Sequence, residues 1–156
     1  MKNIFSIVFL CFILSYGQGL AQTCGNDIET SAVTLTTQSE VDNFDPNLSQ
    51  VLNRLTIDGS DIQNLNGLSC LDTIKDLFIE NCPLLLNTTG LNVHVSGKLY
   101  VRNNATLNNV DGLLRPTSKN LNTVFFYNCP NLNSLMGLSM IETITDGLYL
   151  QKLNQF

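Results

Sequence analysis

The sequence is short of the residues that chemistry usually needs. Only 13% of its residues are charged, and His94 is its single histidine. Catalysis calls for a base beside an activated nucleophile, for paired carboxylates, or for a set of metal ligands. No Gly-rich phosphate loop, no GxSxG and no HExxH occurs. His94 stands between Val93 and Val95, and strict alternation turns the valines inward and the imidazole out to solvent. CxxC pairs are missing too, which leaves the cysteines without a metal or redox motif. Asp58, Asp61 and Asp72 lack the regular short spacing of calcium-loop ligands and read as turn-capping aspartates. These absences describe a non-enzyme with no cofactor and no metal.

Positive charge is scarce as well, with eight Lys and Arg against thirteen Asp and Glu. Nucleic acid and anionic membrane surfaces both require a basic footprint, so neither is expected as a partner. Long apolar runs are confined to residues 4–14 (IFSIVFLCFIL). That run falls short of the roughly 18 residues a membrane-spanning helix needs. With Lys2 before it and Gly19, Leu20 and Ala21 after it, it has the layout of a secretory signal peptide. Cleavage after Ala21 is expected to release a mature chain, residues 22–156, that is secreted or held at the outer cell surface without inserting into a membrane.

What the sequence has in quantity is asparagine, twenty of them, together with 44% hydrophobic residues. The apolar content is too high for a disordered chain. Asparagine tolerates left-handed backbone and hydrogen-bonds its own turn, so it suits a protein built largely of turns.

The apolar residues repeat. Pairs of apolar-x-apolar begin at Leu55, Leu77, Leu99, Val124 and Leu148, at intervals of 22, 22, 25 and 24 residues. A second marker keeps step: Gly67, Gly90, Gly112 and Gly137, each followed by leucine. The longest interval contains residues 115–120 (RPTSKN), a polar stretch that reads as a loop insertion. Each unit offers a strand of four or five residues, then a turn, then a Gly-Leu corner, and no unit has room for a helical pattern. One such unit cannot bury its apolar edge alone, whereas stacked units make a continuous core. The expected fold is all-β, a parallel β-solenoid with rungs about 4.8 Å apart. Residues 22–50 form an N-terminal cap segment and residues 51–156 the solenoid.

The repeat explains the duplicated Asn-Cys-Pro at Cys82 and Cys129. Ser60, Cys82, Asn104, Cys129 and Leu153 share one position just after their strands. Two rungs separate the cysteines, roughly 9–10 Å, which is beyond disulfide reach. Buried free thiols are expected. Cys24 and Cys70 stay open: a bond clamping the cap to the first rung is one reading for an exported protein, and two reduced thiols the other. Asn81, Asn103 and Asn128 fall in register as a ladder of side-chain amides. Outward along the strands stand Thr56, Phe78, Tyr100, Phe125 and Tyr149. Four in-register aromatics are either a recognition face for protein or glycan or a stack that stabilises the sheet.

The stretches at residues 33–44, 53–57 (NRLTI) and 65–85 (LNGLSCLDTIKDLFIENCPLL) resemble the receptor L-domain-like repeat proteins secreted by Bacteroidetes, especially flavobacteria. The resemblance covers residues 33–156 and implies a right-handed β-helix like the ligand-binding lobes of receptor ectodomains. Relatives carry a Gly-Cys after the cap strand, where this chain has DPNLSQ at residues 45–50. A cap disulfide through that site is therefore not expected, so Cys24 is read as unpaired or bonded elsewhere. Relatives also end in a secretion-sorting domain, which implies that this chain is a piece of a longer surface protein. The second architecture is a leucine-rich repeat, whose template fits residues 74–84 best. Two functional expectations follow: a non-enzymatic adhesion module binding protein or glycan through Phe78, Tyr100, Phe125 and Tyr149, or a structural spacer with no ligand.

Overall fold

The computed structural model describes residues 23–154; the expected signal peptide lies outside them. The chain is a parallel β-solenoid. Its strands are β1 (Asp27–Glu29), β2 (Val33–Leu35), β3 (Leu48–Asp58), β4 (Thr73–Glu80), β5 (His94–Val95), β6 (Lys98–Arg102), β7 (Asn120–Tyr127) and β8 (Thr143–Gln151). They form one sheet in the order β1-β3-β4-β6-β7-β8, with β2 also on β3 and β5 also on β4. Every pairing is parallel. The register runs Val33, Leu55, Leu77, Leu99, Val124, Leu148, which makes about six rungs. Among the described residues the helical content is one short helix, α1 (Gln38–Asp42), and two single 3-10 turns at Asn66–Leu68 and Met136–Leu138.

The strands are longer than the four or five residues expected. β3 has eleven residues, β4 and β7 eight each, and β8 nine. Ahead of each apolar pair lies another inward residue (Val51, Ile74, Leu121, Ile144) that joins the ladder across a register shift. Ser96 and Gly97 interrupt that joint in the middle rung, which leaves β5 and β6 separate. β3 also starts at Leu48, so its first three residues fall inside the expected cap segment.

The inward positions Leu55, Ile57, Leu77, Ile79, Leu99, Val101, Val124 and Phe126 are all fully buried. They belong to one continuous apolar core from Leu35 to Leu132. Each such side chain contributes about 1.5–3 kcal/mol by leaving water. The Gly-Leu corners have a steric cause. A Cβ at Gly67 would lie 1.9 Å from the Val41 carbonyl oxygen, and one at Gly137 would lie 1.7 Å from that of Val110. Only glycine lets the backbone pass that close to the neighbouring rung.

The insertion at residues 115–120 folds onto the β5 rung. Within it the buried Ser118 hydroxyl accepts a hydrogen bond from the Val95 N–H and donates to the Val93 carbonyl. A side chain thus stands in for backbone in the ladder.

The N-terminal end is closed by α1, whose capping box joins Thr37 and Glu40. Val41 and Phe44 are buried beneath it, over the first full rung. Cys24 and Cys70 are joined by a disulfide, with Cα atoms 5.2 Å apart. The bond ties the cap segment to the corner after β3. It closes a sequence separation of 46 residues, for which chain entropy gives roughly 4 kcal/mol. Replacing both cysteines (Cys24→Ser with Cys70→Ser) is expected to lower stability by about 2–4 kcal/mol, read as a fall in the urea midpoint. An unchanged midpoint would mean that apolar packing alone holds the cap.

Candidate functional site

Parallel register brings Thr56, Phe78, Tyr100, Phe125 and Tyr149 into one outward row across β3, β4, β6, β7 and β8. The rings stack on one another. Phe78 and Tyr100 have centroids 4.7 Å apart and planes 6° from parallel, and Tyr100 and Phe125 lie 5.2 Å apart at 28°. Phe125 also meets Tyr127 and Tyr149, each at 6.2 Å. The Arg54 guanidinium carbon lies 4.5 Å from the centroid of the Phe78 ring and closes that end of the stack. Phe78, Tyr100 and Phe125 are therefore only half exposed, while Tyr149 on the outermost strand is 44% exposed. The faces of Phe78, Tyr100 and Phe125 are covered by their neighbours, whereas Tyr149 has a ring neighbour on one side only.

Charged rows run on either side. Arg54, Asp76 and Lys98 align along one flank, and Asp58, Glu80 and Arg102 along the other. Glu80 is buried at 6% exposure and accepts a 2.8 Å hydrogen bond from Arg102. The Asp76 carboxylate accepts the Lys98 N–H at 2.9 Å, so it completes the sheet as well as charging its surface.

Beside the second flank lie the asparagines. Asn81, Asn103 and Asn128 adopt φ of 51°, 57° and 54°, a left-handed conformation that asparagine tolerates better than most side chains. Each amide donates to the rung before it: Asn128 to Asn103 at 3.1 Å, Asn103 to Asn81 at 2.9 Å, and Asn81 to the Asp58 carboxylate at 3.0 Å. Lys152 takes the equivalent backbone conformation, with φ of 53°, and its ammonium lies 4.9 Å from the Tyr127 ring centroid.

Cys82 and Cys129 are free and buried. Between them Asn104 is also fully buried; its side chain accepts from the Cys82 N–H at 2.9 Å and donates to the Ile79 carbonyl at 3.0 Å. Ser60, in the same sequence position, is exposed instead. Gly59 precedes it in place of a left-handed asparagine and packs against the Thr36 carbonyl, so the first turn runs differently. His94 is half-buried rather than solvent-facing, and its Nδ1 is sealed without a partner. The folded insertion bonds to the backbone on both sides of it, at Val93 and Val95.

Among the described residues, no cluster of three His, Cys, Asp or Glu side chains could hold a metal ion. No helix among them is long and apolar enough to cross a membrane. The aromatic row and asparagine ladder lie side by side on one sheet, while Cys24 and Cys70 sit apart at the cap. The sequence reading placed Asn104 in the cysteine position without its two backbone bonds, and missed Ser118 and the Glu80–Arg102 pair; register alignment alone could have brought out that pair, since opposite charges occupy one outward row. Comparison with protein-family models, with curated proteins and with solved structures found no match to this chain.

Two outcomes test this geometry. Burial pushes the Cys82 thiol up from 9.0 to about 11, aided by the nearby Asp58 and Asp61 charges. With respect to this group, stability is level below pH 9.0. From there to about pH 11 it falls, because the unfolded chain releases a proton that the native chain keeps. The urea midpoint of Cys82→Ala should fall less steeply over that window than that of the unaltered chain. Asn103→Ala loses the ladder contact and strains the turn, for an expected cost of about 1–3 kcal/mol. Asn103→Gly should recover the backbone share of that cost.

Proposed function

We propose that the chain is a non-enzymatic recognition module of the receptor L-domain-like type, exported from the cell, which binds a protein partner across the outward face of its sheet. The observation that carries this reading is the row Phe78, Tyr100, Phe125 and Tyr149 with charges of both signs on each flank. Aromatic edges among fixed charges suit a polypeptide surface, where anchoring aromatics and complementary charge supply affinity and orientation. Stacking on a sugar needs a free ring face. Here Phe78 is covered by Arg54 and Tyr100, and Phe125 by its neighbours, which favours protein over glycan.

A structural spacer is the second reading, and the same stacking favours it, since cross-strand aromatic pairs stabilise a sheet without any ligand.

The test uses labelled chain applied to producing cells that have been treated with protease or with periodate. Protease-sensitive, periodate-resistant binding is expected. Arg54→Glu with Lys98→Glu, which keeps the rings, should weaken binding at least about tenfold, as should Phe78→Ser with Tyr100→Ser in chains shown by circular dichroism to be folded. Binding removed by periodate would point to glycan. No binding at all, or binding indifferent to every variant, would leave the spacer.

A further inference from the structure

Residues 23–32 lie along β3 as a strap. None of them is buried, and the apolar core begins only at Leu35. Ile28, the one large apolar side chain in the stretch, is 53% exposed. Two backbone bonds tie the strap to the turn before β3: the Gly25 N–H donates to the Pro46 carbonyl at 3.0 Å, and the Asp27 N–H to the Asn47 carbonyl at 2.8 Å. The β1–β3 ladder adds three residue pairs, interrupted by a register shift after Asp27. The Ser49 hydroxyl donates to the Asp27 carbonyl at 3.4 Å. A short ladder on exposed backbone with no apolar burial opens readily. Closure of the core does not depend on the strap, because α1 with Val41 and Phe44 covers that end. The Cys24–Cys70 bond is therefore the strap's one durable tie.

The two sulfurs are unequally placed. Cys24 is exposed, whereas Cys70 is only 5% exposed. Both border a polar cleft of about 280 Å³, whose wall also holds Gln50, Ser69, Asp72 and Arg115. A small thiol has room there, and it reaches Cys24 before Cys70.

We propose that the Cys24–Cys70 bond is a redox latch: small thiols open it in the folded protein and free residues 23–32, while the solenoid stays intact. The thiolate of the incoming thiol attacks the Cys24 sulfur. A new sulfur–sulfur bond forms there and the Cys24–Cys70 bond breaks. Its electron pair stays on Cys70, which takes up the proton that the incoming thiol gave to water. A second thiol frees Cys24 by the same step, so two thiols leave as one disulfide and the chain holds two cysteine thiols. Release uncovers the edge of β3 from Leu48 to Val51, while β2 still covers Leu55 to Ile57. The latch lies at the cap, apart from the aromatic row.

The test treats the full chain with reduced glutathione at neutral pH without denaturant, then with iodoacetamide. Peptide mass mapping is expected to find label or glutathione on Cys24 and neither on Cys82 or Cys129. Those two thiols are buried, so they report any opening of the whole molecule. Hydrogen exchange at residues 23–32 should quicken at least about tenfold in the reduced chain, with the inward strand residues unchanged. Cys24→Ser, shown by circular dichroism to be folded, should have the same fast exchange with no thiol added. A Cys24 that carries neither group overturns the proposal, because the bond then resists exchange. Label on Cys82 or Cys129 overturns it as well, since the chain then unfolds as one unit. So does a strap whose exchange is the same with and without the bond.

Discussion

Parallel in-register pairing is the constraint on which everything else in this molecule rests. A residue in one rung can meet its counterpart 22 to 25 positions later only if every turn between them brings the backbone back to the same height. The left-handed asparagines at 81, 103 and 128 make one such return. The glycines at 67 and 137 make another by allowing backbone to pass against backbone. Once those corners hold, inward residues have no choice but to stack into a core. Polar residues of like kind are brought together along the axis in the same way.

That constraint also shapes the face. Rungs about 4.8 Å apart fall within the centroid spacing that aromatic pairs prefer, so in-register aromatics pack on one another, flat at Phe78–Tyr100 and more tilted toward Tyr149. The result is stiff and partly self-satisfied. Its chemistry toward a partner is that of ring edges, tyrosine hydroxyls and the charges beside them. The buried Glu80 held by Arg102 shows that some of this charge serves the sheet itself. Recognition and stability therefore draw on the same residues, and substitutions that leave the rings in place separate the two most cleanly.

Much of this was legible in the sequence because a repeat states its rule several times. Leu55, Leu77, Leu99, Val124 and Leu148 announce the register, and any single exception is outvoted. What stayed hidden occurs once. The partner of Cys24 depends on where the cap lies, which no period encodes. The aromatic row could be located but not its ring orientation, since that is set by side-chain torsions. Asn104 occupies a slot that cysteine fills elsewhere, and its two backbone bonds show only when neighbouring rungs are in place. The alternation rule held for the valines beside His94, yet the imidazole between them is half-buried, where a loop from twenty-odd residues downstream bonds to those valines.

The hydroxyl of Ser118 has a bearing on how such a chain changes over time. The rung that carries the insertion is three residues longer than the two before it, yet the strands on both sides keep their register. A side chain completes the ladder locally, so the added length stays outside the repeat. The corner is tied to the rungs on both sides, since Ser118 bonds to Val93 and Val95 and the Lys119 carbonyl accepts from the Glu142 and Thr143 N–H groups. Length can vary at such a corner only where bonds of this kind bring the chain back into register.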